Sequence, residues 1–224
     1  MRLDLGTEIQ CADGDLGELS DIVVDPTTRR VTHLVVEPKH GYFTPRLVPV
    51  ELVGSGDAVP IELTCTVKEA GELEHAEEIA YLRLGEFPVD DPKYDVQVTE
   101  MLALPYYEGL DMPSAGVTSY GRGVDVRYER VPKGDVEIRR KSPVIASDGH
   151  RLGHVDGLVV DDGAVTHVVL EAGHLWGKRE ITVPIGAVER VDEEGVTLTI
   201  AKDDVEKLDT VRLHRWPHGT SPRA

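Results

Sequence analysis

Four histidines in one half of the chain, His150, His154, His167 and His174, fall close to Asp148, Asp156 and Glu171. Imidazole and carboxylate together form the donor set of a zinc or other divalent site. Two features argue for framework instead. His167 lies in Val165–Glu171, Val-Thr-His-Val-Val-Leu-Glu. The same phrase occurs at Val31–Glu37, Val-Thr-His-Leu-Val-Val-Glu, where His33 is its counterpart. A position that carries one side chain in two copies reads as something the fold wants there. His150 and His154 straddle a turn and a strand start, so their spacing does not converge them. No metal and no cofactor is assigned.

The other reactive groups read in the same way. Asp25 and Asp161 each end an apolar run before a turn, where an aspartate caps the reversal through its own side chain. Glu37 and Glu171 close the repeated phrase and read as charges guarding a sheet rim. Cys11 and Cys65 have no second metal ligand at a recognised spacing and read as small buried hydrophobes. Ser119 lacks the Gly-x-Ser-x-Gly setting of a nucleophile elbow. Gly121 and Gly123 do not continue into a dinucleotide fingerprint. No catalytic residue is assigned.

Aromatics beside cations suit a protein interface better than a reaction. Gly173–Glu180 carries His174, Trp176, Lys178 and Arg179, and its counterpart in the other copy carries Tyr42, Phe43 and Arg46. Tyr106 and Tyr107 lie between the copies. Eight of these, His174, Trp176, Lys178, Arg179, Tyr42, Phe43, Tyr106 and Tyr107, form the candidate docking set.

The elements that position these groups come from the repeat. In each copy a glycine precedes an apolar run ending in aspartate (Gly17 to Asp25, Gly153 to Asp161). A turn follows, then the β-branched phrase, a polar loop, and a strand with Val-Pro (Val48-Pro49, Val183-Pro184). β-branched runs fit a pleated, half-buried surface, and proline marks a strand edge or bulge. Spacing at three and four over 68–83 (Ala70, Leu73, Ala76, Ile79) predicts a helix closing the first copy. A second short helix is expected near 96–104 and a terminal one over 203–212. The expected division is 1–84, a partly ordered insert at 85–135, 136–213, and a polar tail at 214–224.

Short strands, Gly-rich turns and a Val-Pro strand make a small antiparallel barrel. The ordered set resembles the PRC-barrel family: Gly17, Asp25, Val31–Val36 and Val48-Pro49, then Gly153, Asp161, Val165–Leu170 and Val183-Pro184. The fold expected is all-β, two tandem PRC-barrel-like units, each followed by a short helix. The family occurs in the cytoplasmic part of a photosynthetic reaction-centre subunit and in a ribosome maturation factor. The resemblance implies a protein–protein docking module with no shared catalytic residue. Two copies in one chain imply an intrachain pseudo-dimer of barrels, with a homo-oligomer as an open alternative.

The 224 residues carry a net charge of −17, which repels phosphate backbones and anionic headgroups. No stretch approaches the ~18 apolar residues of a membrane span. The expected role is a non-enzymatic cytoplasmic adaptor for another protein. Two other readings stay open: a ribosome-assembly or RNA-processing accessory factor, and a metal- or small-molecule-binding protein that uses the second-copy histidines.

Overall fold

A computed structural model describes residues 1–39, 44–54, 59–83, 91–102, 123–172, 179–192, 194–208 and 210–211. The first copy contains β1 (Arg2–Asp4), β2 (Glu8–Cys11), β3 (Gly14–Asp25), β4 (Arg30–Pro38), β5 (Arg46–Pro49), β6 (Ile61–Glu62) and α1 (Val67–Gly71). The end of the first unit contributes β7 (Glu77–Arg83), and the insert contributes β8 (Tyr94–Leu102) and β9 (Gly123–Pro132). The second copy contains β10 (Val136–Arg139), β11 (Pro143–Ile145), β12 (Arg151–Asp161), β13 (Ala164–Ala172), β14 (Arg179–Pro184), β15 (Val188–Asp192), β16 (Gly195–Leu198), α2 (Lys202–Val205) and β17 (Thr210–Val211). The protein is all-β with curled sheets and two short helices, as its strand-rich repeats demand.

The copies match in their central hairpin and the strands that flank it because the same residues make the same local choices. β3 pairs with β4 and β12 with β13, each antiparallel, and each pair breaks register twice at equivalent places, after Leu19 and Val23 and after Val155 and Val159. β2 runs parallel to β6 and β11 parallel to β16. Pro49 and Pro184 each end a strand and start a 3-10 turn, since a proline cannot extend the ladder. The hairpin turns differ. Asp25 caps its longer turn by accepting hydrogen bonds from the Thr27 and Thr28 amides at 2.8 and 3.2 Å. Asp162 and Gly163 both have positive φ, the geometry of a two-residue reversal.

Pairing crosses between the copies in a way the repeat does not announce. β1 pairs with β12 of the second copy, and β10 pairs with β3 of the first. Each copy therefore receives a strand from the other half of the chain. The hairpin tips also join, through Val31 N–H to Gly163 O at 3.0 Å and Val165 N–H to Arg29 O at 2.9 Å. One continuous sheet results, over a buried core that runs from Leu3 and Leu19 to Val168 and Leu198.

The β1 crossing is anchored by an ion pair. Arg2 meets Glu180, whose side chain is only 1% exposed, and Asp4 supports Arg2 from the same strand at 2.6 Å. Removing one partner strands a buried charge. Arg2→Ala is expected to cost about 3 kcal/mol in denaturant unfolding. Arg2→Ala combined with Glu180→Leu should recover most of it, because the uncompensated carboxylate is then gone.

The helix expected over 68–83 is corrected to α1 alone, followed by strand β7. Thr66 and Glu69 form a reciprocal capping box that starts α1, but one turn later the chain leaves it. Glu77–Arg83 pairs instead with β9, some fifty residues on in sequence (Glu77 opposite Glu129). Ala76 fits a helical face and a strand equally well, and it is buried in a second core with Val23, Val35, Leu47 and Val131. The helix expected near 96–104 is likewise strand β8. The terminal helix is the single turn α2. The tail at 214–224 lies outside the described residues.

Candidate functional site

The described second-copy histidines, His150, His154 and His167, do not converge. His150 Nδ1 lies 3.2 Å from Asp148 within its own turn. His154 Nε2 lies 3.9 Å from Glu171 across the β12–β13 ladder. His167 Nδ1 lies 3.1 Å from its neighbour Thr166. Among the described residues no group of three His, Cys, Asp or Glu side chains is placed to hold a metal ion. His33 occupies the position equivalent to His167, opposite Pro49 as His167 is opposite Pro184. Burial lowers its pKa, the mark of an imidazole held neutral by its surroundings.

Cys11 and Cys65 are buried, free thiols. Burial, and then the neighbouring Cys65, push the Cys11 thiol up to about 12. It is thus kept far from the thiolate form that reacts.

Of the candidate docking residues, Arg179 is described. It starts β14 with its side chain exposed, opposite Ala172. His174, Trp176, Lys178, Tyr42, Phe43, Tyr106 and Tyr107 lie outside the described residues.

The described strands of the insert join β7 in a three-stranded antiparallel sheet in the order β7–β9–β8. One face of β9 packs on the outside of the first barrel, where Val131 joins Val23, Val35 and Leu47, with Tyr94 against the same cluster. Arg130 fastens the sheet. It stacks over Tyr94 at 4.4 Å and reaches Asp91 at 3.3 Å and Glu74 and Glu78 at 3.7 Å. Among the described residues, β7 and β8 each pair on one side only, with β9. Ile79 and Val98 stand 53% and 42% exposed on these outer strands. A strand with one free edge offers a row of backbone donors and acceptors to an incoming strand.

Where this sheet meets the first barrel, three carboxylates from three elements converge: Asp21 on β3, Glu129 on β9 and Glu137 on β10. Glu137 and Glu129 are 9% and 17% exposed at the side chain, and both pair with Arg139. One guanidinium does not offset the burial of three acids. Burial, then the charge of Glu137, push Asp21 up to about 7. Glu129 is pushed to about 7 for the same two reasons. Glu137 is also raised, mainly by burial, with Arg139 opposing.

Sequence reasoning overlooked two features. The Asp21 cluster draws its members from three separated segments, so no spacing reveals it. Arg46 counted only as the cation of an exposed loop, yet it is 7% exposed. A signal existed: the Val36–Arg46 pairing matches the Leu170–Ile181 pairing of the second copy. That places a cation where the other barrel keeps an apolar core residue.

Two small curled β units, each with a one-turn helix near its end and each receiving a strand from the other half of the chain, define an all-β, barrel-like protein. Residues 140–205 match the family model of the PRC-barrel domain, so a PRC-barrel domain is present in the second half of the chain. The first copy has counterparts of β11–β14, β16 and α2 in the same order; among its described residues no strand answers to β15 or β17. Among curated proteins, none matches the sequence. No helix among the described residues is long and apolar enough to cross a membrane.

Proposed function

We propose that the chain is a non-enzymatic docking module that captures another protein. The observation that carries this reading is the insert sheet. It is held rigidly on the first barrel by Val131, Tyr94 and Arg130, yet its outer strands β7 and β8 are paired on one side only among the described residues. Strand addition to such an edge takes affinity from main-chain hydrogen bonds and specificity from alternate side chains such as Val98. The aromatic and cationic loop around Trp176 is the second contact in this reading. The −17 charge favours a partner with a basic face over nucleic acid. Buried free thiols suit a reducing compartment, and we place the protein in the cytoplasm.

The test compares proteins retained by the intact chain with those retained by Trp176→Ala and by Val98→Lys. The lysine puts a charge on the edge strand, a substitution that blocks edge pairing. Loss of the same partner by either variant, with folding unchanged, supports docking. A partner set identical for all three removes both surfaces from consideration.

A further inference from the structure

A second location carries an inference independent of docking. Beside α1, a cavity of about 150 Å³ is walled by Leu16, Pro38 and Val67, with Asp15 and Lys39 also lining it. Arg46 lines it as well. Its residue is 7% exposed. One terminal nitrogen donates to Leu73 O at 2.8 Å, while Nε is buried with no hydrogen-bond partner. Among the described residues no carboxylate lies within ion-pair distance of it. Lys39, by contrast, is already paired with Glu8, and Asp15 is exposed.

A buried guanidinium without a counter-charge is costly, and an apolar side chain of similar volume is often the more stable choice. This protein shows that its own fold accepts that choice. The equivalent residue in the second barrel is Ile181, 5% exposed in the same ladder position. The ladder position therefore accepts an apolar residue, and the single bond to Leu73 O is what the cation gives its own fold. What a guanidinium without a counter-charge does offer at a cavity wall is a charged donor for a carboxylate. The walls beside it are apolar and the volume is small, which fits a short hydrocarbon stem. Phosphate lacks that stem, and Asp15 opposes a doubly charged anion more strongly than a singly charged one.

We infer that this cavity binds a small monocarboxylate, its oxygens on Arg46 and its short apolar stem against Leu16, Pro38 and Val67. The anion supplies the counter-charge that the fold leaves out. Nothing in this assignment depends on a protein partner, so it stands or falls separately from docking.

The probe is sodium butyrate, titrated into the full chain while the Arg46 Nε–Hε resonance is followed by NMR. Butanol, butylammonium and inorganic phosphate serve as controls. The expected result is a saturable shift with butyrate at a Kd on the order of 1 mM, at least ~10-fold weaker with butanol or phosphate. Arg46→Ile should abolish saturable binding while raising the melting temperature, since the buried charge is gone. Gly71→Leu provides a second variant. Gly71 lines the cavity, and an added Cβ there meets nothing within 4 Å. It should weaken binding by narrowing the cavity while leaving Arg46 intact. Absence of a saturable shift in the wild type overturns the assignment. So does equal binding by butanol, or unchanged affinity in both variants.

Discussion

Gly17→Ala and Gly153→Ala are each expected to lower stability by at least about 3 kcal/mol, at the upper end of what overpacking costs. A Cβ at Gly17 would stand 2.1 Å from Glu37 O and 2.9 Å from Pro38 Cα. At Gly153 it would stand 2.0 Å from Glu171 O. The obstructing atoms are backbone in both cases, so no side chain can rotate away. The ladder must part where the long first strand of each copy (β3 or β12) crosses its partner. Gly186→Ala is the matched control, because an added Cβ there meets nothing within 4 Å. Chemical denaturation of the three variants measures the difference. A loss below about 1 kcal/mol at both Gly17 and Gly153 would show that the ladder yields more easily than this close approach implies.

The second large effect is on pH dependence. Asp21 and Glu129, each pushed up to about 7, hold protons in the folded chain that the unfolded chain releases near the ordinary carboxylate range of about 4. Between those values the folded state binds more protons. Stability must therefore fall as pH rises through this window and level off above about 7. Glu137 and Glu180 are shifted in the same direction, mainly by burial. His33 and His75 act oppositely. Their pKa values are lowered, chiefly by burial, so they weaken the fold as pH drops below about 6.5.

The groups facing Asp21 are Glu137 and Arg139 from β10, Glu129 from β9 and Ser20 beside it, with Glu77 of β7 acting on Glu129 and Glu137. With the acids in the majority, the protein is expected to be on the order of 3 kcal/mol more stable at pH 5 than at pH 8. Asp21→Asn should raise stability at pH 8 and flatten much of the slope. Urea unfolding across this range checks it. A stability that rises steadily from pH 5 to pH 8 would contradict the convergence of these carboxylates.

The two crossing points explain why such a cluster forms in one barrel and not the other. At the β10 crossing, Arg139 lies opposite Asp21. At the β1 crossing, Asp4 lies opposite Gly157, where an added Cβ would come within 2.4 Å of Leu3 O. One exchanged strand thus brings Glu137 into an already acidic corner. The other brings Arg2 to the buried Glu180. Duplicated backbones have been given opposite charge chemistry at equivalent positions.

The candidate sites were legible in unequal measure. His167 could be recognised as framework from its partner His33, because a duplicated sequence supplies its own comparison. The same comparison, Arg46 against Ile181, carried the mark of a cation in the core. Reading it needed the strand register, which the loop between β4 and β5 obscures. Asp21, Glu129 and Glu137 were out of reach, since each belongs to a different strand whose neighbour is chosen in three dimensions.

The sequence by itself determined what depends on near neighbours. Turn chemistry at Asp25 and at Asp162-Gly163, β-branched runs at Val31–Val36 and Val165–Leu170, and proline at Pro49 and Pro184 act over a few residues, and all produced the expected strands and reversals. The tertiary structure alone decided which strand pairs with which. Glu77–Arg83 becomes a strand because β9 offers an edge. Arg2–Asp4 and Val136–Arg139 exchange barrels because the free edges of β12 and β3 lie there. Hydrogen-bonding edges are alike along any strand, so local pattern cannot choose among them. The choice falls to the packing of Leu3 and Ile138 into the shared core.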